Sequence, residues 1–466
     1  MENFINNQIE HHHRFAHNIR LRLLADGIIV GCVAGLVISA FRFALQYGET
    51  FRSSFYNNLI IALNNTQMWL WLAGLGIIAA ILTKLIKLEP LAGGSGIPQV
   101  KGALLNLITM NWWRIIWVKI VGGVLAIGAG LSLGREGPSI QLGAMTAQGL
   151  ARISHQSKIE EHYLLSSGAA AGLAAAFNAP LAGVIFALEE LHHNFSIVVL
   201  MPAMGAAFTA TMVSRALFGS DTVFHFPEFT TFPLTNVAVI VVTAIFAGLM
   251  GVLFNKGLLN IPKFYQLKCF NKVHYKVIFA LVVSILLGCT LPQVLGGGSE
   301  LINYLAKTPV TLQFLCLLLL TKFIFTLLSY GVGCPGGFFL PMLVIGALTG
   351  GVCGKVLLAL GLIEKTYFLN ILVMAMVAFF AASVRAPITG TVLIMEMSKS
   401  YAILLSCGIS AMIGFAVAEC LHSAPIYEAP LHKTLQEEKY RHLLEEQNLA
   451  ERNDELQNND RLYSED

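Results

Sequence analysis

From about Gly27 to Leu421 the chain is apolar almost throughout, yet glycine and proline interrupt it again and again. A bilayer span needs about 20 consecutive apolar residues. Gly27 to Leu45, Met68 to Leu82 with its flanks, Val237 to Phe254 and Val277 to Leu291 approach or reach that length. The stretches around Gly134, Pro180, Gly336 and Pro387 do not. Short, broken apolar segments describe helices that stop inside the membrane, which is tolerated only where backbone is buried in protein or lines a cavity. The pattern predicts an all-α polytopic membrane protein with many tilted and broken helices. Composition closes the main alternative: 12% of residues are charged, against about 25% in soluble domains. A soluble enzyme of this size is excluded, and a formal charge of +3 points to no nucleic-acid partner.

Three regions of distinct character follow. Residues 1–25 are polar, basic and histidine-rich, which predicts a cytoplasmic segment and no cleavable signal peptide. His11 to His13 read as a solvated tail rather than a metal site. The eight cysteines lie mostly in apolar stretches without ligand spacing, so they read as small core residues. Arg14, Arg20 and Arg22 before the first span, with Lys84 and Lys87 after the second, put both clusters in the cytoplasm and residues 50–66 outside. Residues 26–430 form the membrane domain. Residues 431–466 carry ten of the 27 acidic residues, a charged cytoplasmic tail expected to be helical.

The membrane domain repeats. Gly134 to Pro138, followed by Gly143-Ala144, aligns with Gly337 to Pro341, followed by Gly346-Ala347, at a shift of 203 that also places Lys119 on Lys322. Ala179 to Gly183 aligns with Ala386 to Gly390 at a shift of 207, which places Glu189 on Glu396. The anchors define two homologous halves, about 26–220 and 235–425, an arrangement that in transporters places substrate between repeats. The anchors leave open whether the halves are inverted.

Gly93-Gly94-Ser95-Gly96-Ile97-Pro98, Gly134 to Pro138 and Gly336-Gly337-Phe338-Phe339-Leu340-Pro341 share one form: glycines, a proline, then an apolar run. Glycine permits a tight entry and proline suits a first helical turn, so each predicts a helix starting at membrane depth. Free N–H groups and a partial positive charge make such starts receptive to anions. Several converging starts would hold an anion without a full charge that would trap it. Glu136, an ionisable residue among these glycines, is a functional candidate on cost alone. Its structural alternative is to partner Arg135 or Lys119.

These motifs, in this order and with a late Tyr427, resemble the signature of the CLC family of chloride channels and chloride/proton antiporters. The likeness runs from about Gly27 to Tyr427. It implies two inverted halves and a homodimer in the lipid bilayer with one pore per subunit. By resemblance, Ser95 and Tyr427 contact a central chloride, the N–H groups of Phe338 and Phe339 point at it, and Glu136 is the gate. Glu190 matches the inner proton-transfer glutamate of the antiporter branch, where channel-type relatives are usually apolar. Glu189, repeated as Glu396, reads as structural.

The resemblance implies a secondary-active antiporter moving chloride in exchange for protons, with chloride as substrate and no cofactor. The setting expected is the bacterial inner membrane. A passive, gated chloride channel is the alternative, against which Glu190 argues. Gln99, where many relatives carry glutamate, departs from the pattern and touches only electrostatics near the inner mouth. Ser95 disfavours nitrate, and the intact G-S-G-I-P and G-R-E-G-P motifs disfavour a fluoride-selective relative. Lys119 and Lys322 read either as anion guides or as members of internal ion pairs. An intramembrane serine protease built on Ser95 would need a histidine base, and the histidines lie at or beyond the ends of the apolar segments. No enzyme is expected.

Overall fold

The computed structural model describes residues 2–62, 65–220, 223–227, 229–429 and 431. The charged tail beyond residue 431 and the side chains of His11 to His13 lie outside the described residues. Sixteen α-helices occupy the described residues, and no strand is present among them. The first eight are α1 (Glu2–Ala62), α2 (Asn65–Leu88), α3 (Ile97–Leu104), α4 (Trp112–Gly128), α5 (Glu136–Ile153), α6 (Lys158–Phe177), α7 (Pro180–Phe186) and α8 (Ile197–Phe218). The second eight are α9 (Val237–Phe264), α10 (Val273–Thr290), α11 (Ser299–Lys307), α12 (Leu312–Gly331), α13 (Phe339–Ala359), α14 (Phe368–Val384), α15 (Pro387–Ser398) and α16 (Leu404–Cys420). Seven helices are long and apolar enough to cross a membrane. With no glycine or proline before Gly27, α1 runs through position 25 without a break.

The two sets correspond one to one. In the first half α5 packs on α6, α1 on α8, and α6 on both α1 and α8. In the second, α13 packs on α14, α9 on α16, and α14 on both α9 and α16. Hydrocarbon supplies no hydrophobic drive between helices, so contact depends on close van der Waals packing at small residues. Gly27, Gly31 and Gly35, four apart on α1, face Pro202, Ala206 and Ala210, four apart on α8. A Cβ on Gly143 of α5 would strike the carbonyl of Gly168 on α6, and the reverse holds as well. These pairings make α5, α6, α13 and α14 an almost wholly buried centre. Large apolar side chains left exposed, such as Phe43, Trp117, Met212, Leu286 and Met412, lie on the outer helices.

The relation between the halves is fixed where α7 meets α15. Past the end of α7, a π-helical turn over Ala187–Leu191 presents Glu189. Its carboxylate accepts from the N–H groups of Ile388 (3.1 Å) and Thr389 (2.6 Å) and from the Thr389 hydroxyl (2.7 Å), capping the start of α15. Glu396, near the end of α15, accepts from Leu181 N–H (3.1 Å) and Ala182 N–H (2.8 Å), capping the start of α7. Two corresponding helices that each cap the other must run antiparallel. The halves are therefore inverted, and Glu189 is structural, as its repeat suggested.

Candidate anion site

The three glycine-led segments meet. The Gly94 N–H donates to the Cys334 carbonyl and the Gly336 N–H donates to the Gly94 carbonyl, both at 3.1 Å. Gly134 and Gly337 exchange two backbone hydrogen bonds, of 2.6 and 2.8 Å. These four bonds lace the starts of α3, α5 and α13 together. The close approach demands the missing Cβ: one on Gly137 would lie 2.8 Å from that of Ser95. The first helical bonds of α5 and α13 run from Ser139 to Arg135 and from Met342 to Phe338. Prolines 138 and 341 lack an N–H, so the amides of Glu136, Gly137, Phe339 and Leu340 are left free by helix geometry.

Around this junction stand the residues picked out in the sequence. Ser95 is buried, and its hydroxyl accepts from Ile97 N–H at 3.4 Å. Tyr427 is buried, its hydroxyl has no partner, and its ring stacks on Phe338 with centroids 5.4 Å apart and planes at 20°. Phe339 begins α13 with its ring between Phe177 and Phe380. Tyr330, which the sequence did not single out, packs edge-on against Phe338 and bonds Ser95. Tyr427 lies within electrostatic reach of Glu190, Tyr330 and Glu136.

Glu136 is fully buried, its carboxylate has no side-chain hydrogen-bond partner, and it lies against the backbone amides of Glu136 and Leu340. Arg135 Nε is 3.8 Å from Oε1, too far for a hydrogen bond, so the structural role for this pair is weak. Gly134 leaves the space that the carboxylate fills. Beside it, a small cavity is lined by Glu49, Arg135, Gly297, Ser299 and Leu340. A buried carboxylate set against helix-start amides is chemically a stand-in for an anion.

Lys119 makes no ion pair among the described residues. Its Nζ donates to the carbonyls of Ala92 (2.9 Å) and Gly94 (2.8 Å), holding the loop that carries Ser95. Lys322 does the same to Val294 and Gly296, both at 2.8 Å. That symmetry exposes a fourth loop, unrecognised in the sequence. Pro292 answers Pro90, while Gly296 (φ 60°) and Gly298 (φ 90°) answer Gly94 (φ 61°) and Gly96 (φ 86°), left-handed positions suited to glycine. Gly297 stands where the first half has Ser95.

Glu190 lies apart from the junction. It is buried, and Lys101 of α3 approaches its Oε1 at 3.4 Å. Lys101 Nζ also donates to Glu428 Oε1 (2.9 Å) and lies 2.8 Å from His193 Nε2. Burial raises the Glu428 carboxyl, but Lys101 and His193 outweigh it and hold it below its usual 4.5. Gln99, the departure from the family pattern, donates to the Gly93 carbonyl at 3.5 Å.

The family profile described as voltage gated chloride channel matches residues 75–419. The H(+)/Cl(-) exchange transporter ClcA of Vibrio parahaemolyticus is 36% identical over 434 residues, covering 90% of this chain and 91% of the relative. That of Vibrio campbellii is 36% identical over 427 residues, covering 89% and 90%. The crystal structure of a slow cyanobacterial Cl−/H+ antiporter superposes with a TM-score of 0.83 at 30% identity, covering 89% of this chain and 98% of the other. A CLC-type fluoride/proton antiporter shares the fold at 24% identity, with a TM-score of 0.71 and coverage of 88% and 97%.

Proposed function

The chain belongs to the voltage gated chloride channel (CLC) family, and on that premise we propose that it is a secondary-active antiporter exchanging chloride for protons. The observation that carries the proposal is the pair of buried carboxylates. Glu136 lies against helix-start amides with no side-chain hydrogen-bond partner, and Glu190 lies apart beside Lys101. A passive pore needs no second buried carboxylate, whereas a proton path needs somewhere to start. The likeness to H(+)/Cl(-) exchange transporters supports the same reading.

In this reading chloride sits at the junction, with the Ser95 and Tyr427 hydroxyls and the amides of Phe338 and Phe339 as donors. Ionised Glu136 competes for the neighbouring anion position and leaves it when protonated. Glu190 supplies protons from the cytoplasmic side along a route separate from chloride. Two copies assemble in the bacterial inner membrane, each with its own pathway and with both termini in the cytoplasm, and neither needs a resident cofactor.

Chloride and proton fluxes recorded together in proteoliposomes test this. A chloride gradient should drive protons the opposite way, and Glu136→Gln should move chloride without them. Chloride flux with no proton movement in the parent protein would establish the channel reading instead.

A further inference from the structure

Glu190 is 2% exposed. What covers it is a cluster that neither the motifs nor the repeat accounts for. Lys101 is 5% exposed and lies between three groups: Glu190 on one side, Glu428 and His193 on the other. Glu428 is about one-third exposed and His193 more than half. The four groups thus form a graded series from buried to wet, drawn from α3, the turn after α7 and the segment after Tyr427. The other ionisable groups facing Glu190 are Glu189, which is turned toward α15, and the Tyr427 hydroxyl. Neighbouring His192 turns away to Ser166, at 2.6 Å.

We propose that His193, Glu428 and Lys101 form a cytoplasm-facing cluster whose protonation governs Glu190, with Lys101 as the positioning residue that sets when Glu190 ionises. The inference rests on the antiport reading. The chemistry is in the donor count. An ammonium has only donors, so His193 Nε2 can accept from Lys101 only while that nitrogen is unprotonated. His193 Nε2 also stands 3.1 Å from Glu428 Oε1. Once protonated, Nε2 donates to Glu428 and its charge repels Lys101. A proton taken from cytoplasmic water at His193 therefore loosens Lys101 from the wet side of the cluster. Passing on to Glu428, it removes the carboxylate that competes with Glu190 for the same ammonium. Burial is the larger influence and pushes the Glu190 carboxyl up to about 8; the positive charge of Lys101 opposes it, and an opposite charge at this distance lowers a carboxyl titration by about 1–3 pH units.

Proton and chloride fluxes across a range of cytoplasmic-side pH, in proteoliposomes of the full chain, test the assignment. Removing the charge with Lys101→Gln should move both limbs of the proton-flux profile to higher pH by about 1–3 units. Lys101→Arg should restore the parent profile, and His193→Gln should flatten its acid limb. A Lys101→Gln profile that matches the parent's, with an unchanged proton-to-chloride ratio, overturns the inference while leaving antiport intact. If Lys101→Gln does not fold, the parent profile with His193→Gln and Glu428→Gln decides: no change in either overturns the inference. A parent that moves no protons overturns both readings.

Discussion

Replacing Lys119 with methionine isolates what holds the Ser95 loop. Lys119 is fully buried, and its two hydrogen bonds, of 2.9 and 2.8 Å, go to the carbonyls of Ala92 and Gly94 on either side of Gly93. Methionine keeps most of the side-chain volume, so the cavity cost is small. Each carbonyl left without a donor at this depth costs about 1–3 kcal/mol, or about 2–6 kcal/mol for the two. Lys322→Met should cost a similar amount, since its bonds to Val294 and Gly296 are both 2.8 Å. The two variants should therefore unfold at similarly lowered temperatures in detergent. Only Lys119→Met should also weaken chloride binding, by about tenfold, or 1.4 kcal/mol, because only its loop carries Ser95. Isothermal titration with chloride, run beside thermal unfolding, separates the two effects. Should Lys119→Met keep parental stability and affinity, or Lys322→Met lose as much affinity, the carbonyl clamp is not what positions the site.

Ser95→Pro removes a hydroxyl donor at the junction and should raise nitrate uptake relative to chloride; an unchanged anion ratio would separate Ser95 from selectivity. Glu190→Gln should abolish proton flux while chloride still moves. Glu189→Gln, which weakens the cap on α15, should cost about 1 kcal/mol of stability without uncoupling, as flux and unfolding measurements would register. At the start of α6, hydrogen bonds from Ser157 hold the Glu160 carboxyl below its usual 4.5. Its capping contribution is thus present above that value and lost as pH falls through the lowered one. Amide exchange in the first turn of α6 should quicken over that acid range, and Glu160→Gln should remove the dependence.

The site was legible where chemistry is written as local backbone need. Glycine followed by proline marks a helix start wherever it occurs, so the starts of α3, α5 and α13 could be read, and the shared spacing disclosed the repeat. The fourth loop escaped because its sameness with the Ser95 loop lies in φ angles and carbonyl partners rather than in side chains, with Gly297 in place of serine. The ion-pair reading of Lys119 and Lys322 failed because a buried lysine suggests a carboxylate, and the sequence carries no sign that carbonyls will serve. Lys101 was invisible for another reason: its partners lie 89 to 327 residues away along the chain. Tyr330 looked like one more aromatic in an apolar helix. Glu189 and Glu190 take different partners, Ile388 and Thr389 for the first and Lys101 for the second, because adjacent helical positions point in different directions.

The exchange of caps between α7 and α15 also bears on how the protein is made. The amides of Leu181 and Ala182 are satisfied by a residue more than 200 positions further on. Until that residue enters the bilayer, the nascent first half holds polar backbone in a medium that offers no water to cover it. The debt is mutual, since Ile388 and Thr389 depend on a residue already synthesised. Insertion into the membrane and completion of the fold are thus separate events. The second waits on almost the whole chain, and a product truncated between the two glutamates would betray itself to quality control by its bare helix ends.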